Sequence, residues 1–234
     1  MRIDVVTLFP EFFTSPLSQS MLRRAQELGA VTFRIINLRD FAPDRHKVCD
    51  DRPFGGGPGM VMKIEPLVAA IRALRQEDPD TWVILLSPQG RLFDQGKAGE
   101  LAARKHIALI CGHYEGVDDR IRFYLDEELS IGDYILTGGE IPALAVADAV
   151  TRLVPGVLGG AGAAAEESFQ TGLLEYPQFT RPRVFEGHEV PEVLLSGDHA
   201  AIARWRRQQA LKKTAAARPD LLKKAKITPE DEEI

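Results

Sequence analysis

Ile131-Gly132-Asp133-Tyr134-Ile135-Leu136-Thr137-Gly138-Gly139-Glu140 leaves an apolar segment, passes through paired glycines and enters a helix-like run from Ile141 to Val154. The same pattern occurs twice upstream. Ile107-Ala108-Leu109-Ile110 runs into Cys111-Gly112-His113-Tyr114-Glu115-Gly116, and Val83-Ile84-Leu85-Leu86 runs into Ser87-Pro88-Gln89-Gly90. In an open α/β sheet, ligands bind at loops on the carboxyl ends of strands. Glycine there lets a ligand approach the main chain closely enough for N–H and C=O groups to read it. One such loop would be ordinary turn chemistry; three in consecutive strand–loop units predict a composite ligand site.

Outward from these loops the chain alternates strands and helices. Strands are expected at Ile3–Leu8, Val31–Leu38, Trp82–Leu86, Ile107–Ile110 and Glu128–Ile131. Helices are expected at Leu17–Leu28 (closed by Gly29), from Glu65 with Pro66 in its first turn to about Arg75, near Lys97–Ala103, near Val117–Leu125, and after Gly139. Alternation of this kind predicts a mostly parallel sheet covered on both faces, the α/β class.

At 234 residues the chain can bury a substantial core. Its net charge of −5 means that any nucleic-acid contact must come from a local basic patch. The apolar run after Asp4 is cut short by Pro10 and Glu11, so no signal peptide is expected, and Pro142, Asp148 and Arg152 interrupt the best candidate membrane span. Cys49 and Cys111 lack metal-type spacing and suit a reducing, cytoplasmic setting.

Residues 159–169 include Gly159-Gly160-Ala161-Gly162-Ala163-Ala164-Ala165, a small-residue stretch with no face to bury, and read as a flexible linker between a domain at 1–158 and a smaller helical domain at 170–234. The second domain carries a one-signed basic excess that includes Arg206, Arg207 and Lys212, a candidate surface for tracking phosphates. Trp205, between Arg204 and Arg206, reads as a core anchor rather than a stacking surface. Gly55-Gly56-Gly57-Pro58-Gly59 lacks a following Gly-Lys-Ser/Thr and is not a Walker A loop, yet its charged flanks suggest function. No Gly-x-Ser-x-Gly elbow supports acyl transfer, and the histidines have no zinc spacing.

The order of several further motifs is more specific. These are Asp44-Arg45-His46, Asp51-Arg52-Pro53-Phe54-Gly55-Gly56-Gly57-Pro58-Gly59-Met60, the three strand-end loops, Arg152-Leu153-Val154-Pro155-Gly156, Tyr176-Pro177-Gln178-Phe179-Thr180-Arg181-Pro182 and Val190-Pro191-Glu192-Val193-Leu194. Across nearly the whole chain they resemble the bacterial tRNA (guanine-N1)-methyltransferase family, whose members methylate guanine 37 beside the anticodon. The resemblance implies a SPOUT-type α/β domain with a deep trefoil knot, which general rules of chain topology would have excluded. It also implies an obligate homodimer and S-adenosylmethionine as methyl donor. The cofactor is expected against Leu86, Ser87 and Pro88, against Gly112, Tyr114, Glu115 and Gly116, and against Ile131, Gly132, Asp133, Tyr134, Ile135, Leu136, Gly138 and Gly139. Asp51, Arg52, Gly57 and Ser168 are expected to contact the tRNA.

Methyl transfer to N1 of guanine calls for alignment, removal of the N1 proton and stabilisation of charge on O6. Arg152 stands where the family has its catalytic arginine. The family's proton acceptor is an aspartate before Ser-Phe; here Glu167 precedes Ser168-Phe169, one methylene longer, with Glu166 the nearest alternative. Some family members are reported to use magnesium, for which Glu115 is a candidate contact, but no spacing demands a metal. Two other readings share these features: a SPOUT enzyme acting on another RNA, and a non-catalytic RNA-binding protein of the same fold. Either Gly112→Val or Gly139→Val is expected to abolish cofactor binding in a folded protein.

Overall fold

A computed structural model describes residues 1–159, 167–223, 225–228 and 231. The chain forms two compact units, Met1–Gly159 and Gly160–Ile234.

In the first unit β1 (Arg2–Thr7), α1 (Thr14–Leu17), α2 (Ser20–Glu27) and β2 (Thr32–Asn37) are followed by the short strands β3 (Asp50–Asp51) and β4 (Val61–Met62). Next come α3 (Ile64–Glu77), β5 (Trp82–Leu92), α4 (Gln95–Ala102), β6 (His106–Cys111), β7 (Glu127–Ser130) and α5 (Glu140–Thr151). Five strands make one parallel sheet in the order β2-β1-β6-β5-β7. Strand residues alternate between two cores, as a pleated sheet requires. Ile3, Val5, Ile84, Leu86, Ile107 and Leu109 pack with Ala25, Leu101, Ala143 and Val146 of α2, α4 and α5. Val6, Val83, Leu85, Ala108 and Ile110 pack with Leu67, Ala70, Ile71 and Leu74 of α3. The α/β class expected from the alternation is therefore the one observed.

Three elements depart from the sequence expectation. The helix expected over Leu17–Leu28 breaks at Ser18–Gln19, because the Gln26 side-chain amide donates to the Leu17 carbonyl at 2.7 Å and satisfies it outside a helix. Its carboxyl end is as expected: Gly29 N–H reaches the Gln26 carbonyl and Ala30 N–H the Ala25 carbonyl, at 2.9 and 3.0 Å, a complete Schellman closure. The helix expected over Val117–Leu125 is only a 3-10 turn, Asp119–Phe123. Val117 is bridged to Met62, Asp118 donates its N–H to the Met62 carbonyl, and the Asp118 carboxylate accepts from Arg120 N–H, so the backbone is already committed. Finally, β5 resumes beyond Leu86. Both Leu86 and Arg91 align with Leu129, so residues 87–90 leave the ladder as an excursion within one strand.

In the second unit β8 (Val184–Phe185) and β9 (His188–Glu189) form a hairpin turned by Glu186-Gly187, both at positive φ. The helix α6 (His199–Ala217) starts at Asp198, whose carboxylate accepts from the N–H groups of Ala200 and Ala201, and α7 (Pro219–Leu222) follows. The core here is small: Leu173, Ala210 and Leu211, with Leu222 and Ala225 against them.

Candidate active site

The strands β6, β5 and β7 are neighbours and run parallel, so their three glycine-bearing loops emerge at one edge of the sheet. The main chain ties these loops together. Gly139 N–H donates to the Gly112 carbonyl at 2.8 Å, and His113 forms an antiparallel bridge with Gly138. A Cβ on Gly90 would stand 2.4 Å from the Leu129 nitrogen, so the excursion Ser87–Gly90 lies directly on β7. Leu86 is buried at the start of that excursion, and Ser87 Oγ accepts from Gln89 N–H at 3.1 Å, with Pro88 between them.

The glycine-rich loop reaches the same edge. Glu115 N–H donates to the Met60 carbonyl and Met62 N–H to the Gly116 carbonyl, at 3.0 and 2.9 Å. A Cβ on Gly59 would collide with the Glu115 side chain. Asp51, in β3, pairs with Val61 and accepts from Arg52 N–H at 2.8 Å. Gly57 and Phe54 are exposed, Phe54 fully. The structure thus sets Gly59–Met62 against the Gly112–Gly116 loop, with Asp51 paired to Val61 beside it, while Arg52 and Gly57 lie in the exposed part of the glycine-rich segment.

Within the last loop, Ser130 Oγ meets both N–H and carbonyl of Gly132 at 3.2 Å, and Tyr134 N–H returns to the Gly132 carbonyl at 3.0 Å. Asp133 is exposed, Ile131 half-buried, and Ile135 is 81% exposed beside Tyr134. Among the described residues the main-chain N–H groups of Ile135 and Leu136 find no acceptor. An exposed apolar side chain next to main-chain amides with no protein acceptor can offer a ligand both an apolar surface and hydrogen-bond donors.

One contributor was not singled out in the sequence. Glu140, the first residue of α5, is buried; it accepts from Thr7 Oγ1 at 2.7 Å, and His113 Nε2 lies 3.6 Å from its other oxygen. An acid in a helix's first turn right after a glycine pair was the available signal. Tyr114 adopts a positive φ, and burial, with Asp50 beside it, pushes its phenol above the usual range. Burial and then Glu140 push the Cys111 thiol well up, which keeps it neutral and unreactive. Cys49 is likewise buried and free.

Arg152 is half-buried at the carboxyl end of α5. Glu167 and Ser168 are half-buried in the second unit, where Ser168 Oγ accepts from Glu175 N–H at 2.9 Å. Glu166 lies outside the described residues, as do 160–165 of the expected linker.

The basic residues of α6 differ among themselves. Lys212 is exposed, Arg207 is paired to Asp231 at 2.7 Å, and Arg206 lies over the Tyr176 ring at 4.7 Å. Trp205, expected as a core anchor, is only half-buried, its ring 6.3 Å from that of Phe179. No group of three or more His, Cys, Asp and Glu side chains among the described residues is arranged to hold a metal. No helix among them is long and apolar enough to cross a membrane.

The sequence model of the family described as tRNA (Guanine-1)-methyltransferase TrmD matches residues 1–224. The chain is 57% identical over 234 residues to the tRNA (guanine-N(1)-)-methyltransferase of Dictyoglomus turgidum, covering 100% of this chain and 95% of that protein. It is 58% identical to the protein of the same name from Moorella thermoacetica, covering 99% and 94% of the two. The corresponding protein of Carboxydothermus hydrogenoformans is 56% identical over 232 residues, covering 99% and 91%.

Proposed function

Because the chain belongs to the tRNA (guanine-1)-methyltransferase family, we propose that it transfers a methyl group to N1 of guanine 37 in tRNA, with S-adenosylmethionine as donor. The observation that carries this reading is the junction of three glycine-bearing loops at one edge of the sheet, where open amides adjoin exposed Ile135. The donor, when bound, supplies an electrophilic methyl group. The residues proposed to hold it are Leu86–Pro88, Gly112, Tyr114–Gly116, Ile131–Leu136, Gly138 and Gly139, largely through main-chain groups. Backbone fixed by its own hydrogen bonds needs little reorganisation to position a reactant.

Arg152 is proposed to stabilise charge on O6, a task for a cation aimed at where charge develops. Glu167 is proposed as the carboxylate that takes the N1 proton, its extra methylene relative to the family's aspartate being absorbed by main-chain adjustment. Asp51, Arg52, Gly57 and Ser168 are assigned to the substrate, and Lys212 to tRNA phosphates. The family likeness further supports a homodimer, the SPOUT knot and a cytoplasmic setting. Among the described residues no group of three or more candidate ligands is arranged around an ion, and no step is assigned to magnesium.

A methylation assay on transcripts with guanine or adenine at position 37 tests the reading. Methyl label is expected only with guanine. Label on another nucleotide would point to a different RNA target, and absence of both label and cofactor binding would leave a non-catalytic RNA-binding protein.

A further inference from the structure

A cavity of about 480 Å³ opens in the second unit, lined from Tyr176 to Arg183 on one side and by residues such as Ile202 and Arg206 of α6 on the other. That volume is in the range of small-ligand sites, roughly 300–1,000 Å³. Its walls are aromatic and cationic. The Arg206 guanidinium lies over the Tyr176 ring, and Phe179 is 46% exposed. Arg181 and Arg183 are exposed at the rim, and Arg183 Nη2 lies 4.0 Å from Glu192. By contrast, Arg207 and Arg218 in the same unit are tied to Asp231 and Asp220, each at 2.7 Å. Arg206 Nε is buried and has no hydrogen-bond partner among the described residues.

We propose that this cavity takes an unstacked nucleotide of the tRNA, other than the methylated guanine. Phe179 offers a face for the base, the Arg206 guanidinium stacked on Tyr176 extends that wall, and Arg181 and Arg183 meet the adjoining phosphates. Single-stranded bases splayed from RNA are held in this way, by stacking on aromatic rings and guanidinium planes. The stacking surface is indifferent to sequence, so the site adds affinity and register rather than choice of base. The proposal rests on the reading that tRNA is the substrate.

The test uses the full-length protein with Trp82→Phe, which leaves Trp205 as the reporter beside Phe179 because the chain has two tryptophans. Titration with a tRNA transcript is expected to quench Trp205. Phe179→Ala and Arg206→Gln are each expected to weaken tRNA binding about tenfold, raising KM while kcat at saturating tRNA and calorimetric S-adenosylmethionine affinity hold. Arg181→Ala with Arg183→Ala, both at exposed positions, keeps the test open should Arg206→Gln fold poorly; the same loss of affinity is expected. If the parent protein methylates tRNA while Phe179→Ala and the double variant bind it with parent affinity, the cavity is no RNA site and the assigned activity stands. Quenching by micromolar 5′-nucleoside monophosphates but not by tRNA would also overturn the proposal, in favour of a free nucleotide. A parent protein that transfers no methyl to tRNA removes the reading underneath, and the proposal with it.

Discussion

Gly139 donates its N–H to the Gly112 carbonyl at 2.8 Å, and a Cβ on Gly139 would stand 2.6 Å from the Cα of Cys111. The loop after β7 is thereby fixed to the end of β6 with no room for a side chain. Gly112 is different: a Cβ there would meet nothing nearer than the Leu86 carbonyl oxygen at 3.5 Å. The two glycines look equivalent in sequence and carry opposite constraints.

Substitutions at these glycines should therefore separate. Gly139→Val drives a branched side chain into backbone and should cost at least about 3 kcal/mol, at the destabilising end for a single change. This replaces the expectation of a folded, cofactor-blind variant at that position. Gly112→Ala should melt like the parent, whereas Gly112→Val should stay folded and lose S-adenosylmethionine affinity by crowding the loop. Thermal melts paired with calorimetry check all three; a parent-like melt for Gly139→Val would contradict the close approach.

At the opposite end of the sheet, buried Asp4 is bound by Arg2 and Arg34 at 2.9 and 2.7 Å and by His106 Nε2 at 3.0 Å. Burial alone would raise its carboxyl, but the hydrogen bonds from Arg2, Arg34 and His106 outweigh that and hold it below the usual range. Glu77, bonded by the same two arginines, is held at about 2 against an ordinary 4.5. Folded values below unfolded ones mean stability present above about pH 4.5 and lost as the pH falls towards 2. Asp4→Asn should cost about 2–4 kcal/mol, somewhat less than breaking a fully buried pair, because both arginines keep partial access to water. Urea unfolding at pH 7 and pH 4 measures it, and the variant's deficit should shrink at the lower pH.

The parallel α/β sheet and the loops that end β6 and β7 were legible because buried strands such as Ile107–Ile110 run apolar without interruption and end in glycine, whereas Ser87–Gly90 is an excursion within β5. Contacts distant in sequence were not. The helix pattern over Val117–Leu125 gave no sign that Val117 and Asp118 are claimed by Met62, more than fifty residues earlier in the chain. The bond from Thr7 to Glu140 spans 133 residues and joins two chemically ordinary side chains, so no local pattern marks it. Charge runs hide pairing in the same way: Arg206 and Arg207 are adjacent letters, one stacked on Tyr176 and the other held by Asp231.

That last difference predicts distinct behaviour on RNA. Lys212→Ala should lower the salt slope of tRNA binding by about one, the mark of a lost phosphate contact. Arg207→Ala should leave the slope unchanged and lower thermal stability instead. Asp231, held far below the usual carboxylate range chiefly by its hydrogen bond from Arg207, would lose that partner. Filter binding across a salt series, with melts of the same proteins, distinguishes the two. Equal slope changes would mean that the Arg207–Asp231 pair opens on RNA.

The proposed chemistry is sharpest at Glu167. If its carboxylate takes the N1 proton, Glu167→Gln removes the acceptor at nearly constant size. Methyl transfer should fall about 10²–10⁴-fold while tRNA and cofactor affinities stay near those of the parent. Glu167→Asp restores the family's residue and should remain active, faster than the parent if the extra methylene holds the carboxylate away from N1. Arg152→Ala should cost at least as much as Glu167→Gln, because charge on O6 would then develop without a cation to meet it. If the two residues act on one transition state, the double variant should lose much less than the product of the single losses. Single-turnover transfer with saturating enzyme is the right measurement, since it reports chemistry rather than product release. Parent-rate transfer by Glu167→Gln would move the proton acceptor elsewhere, and Glu166→Gln would then be the variant to measure.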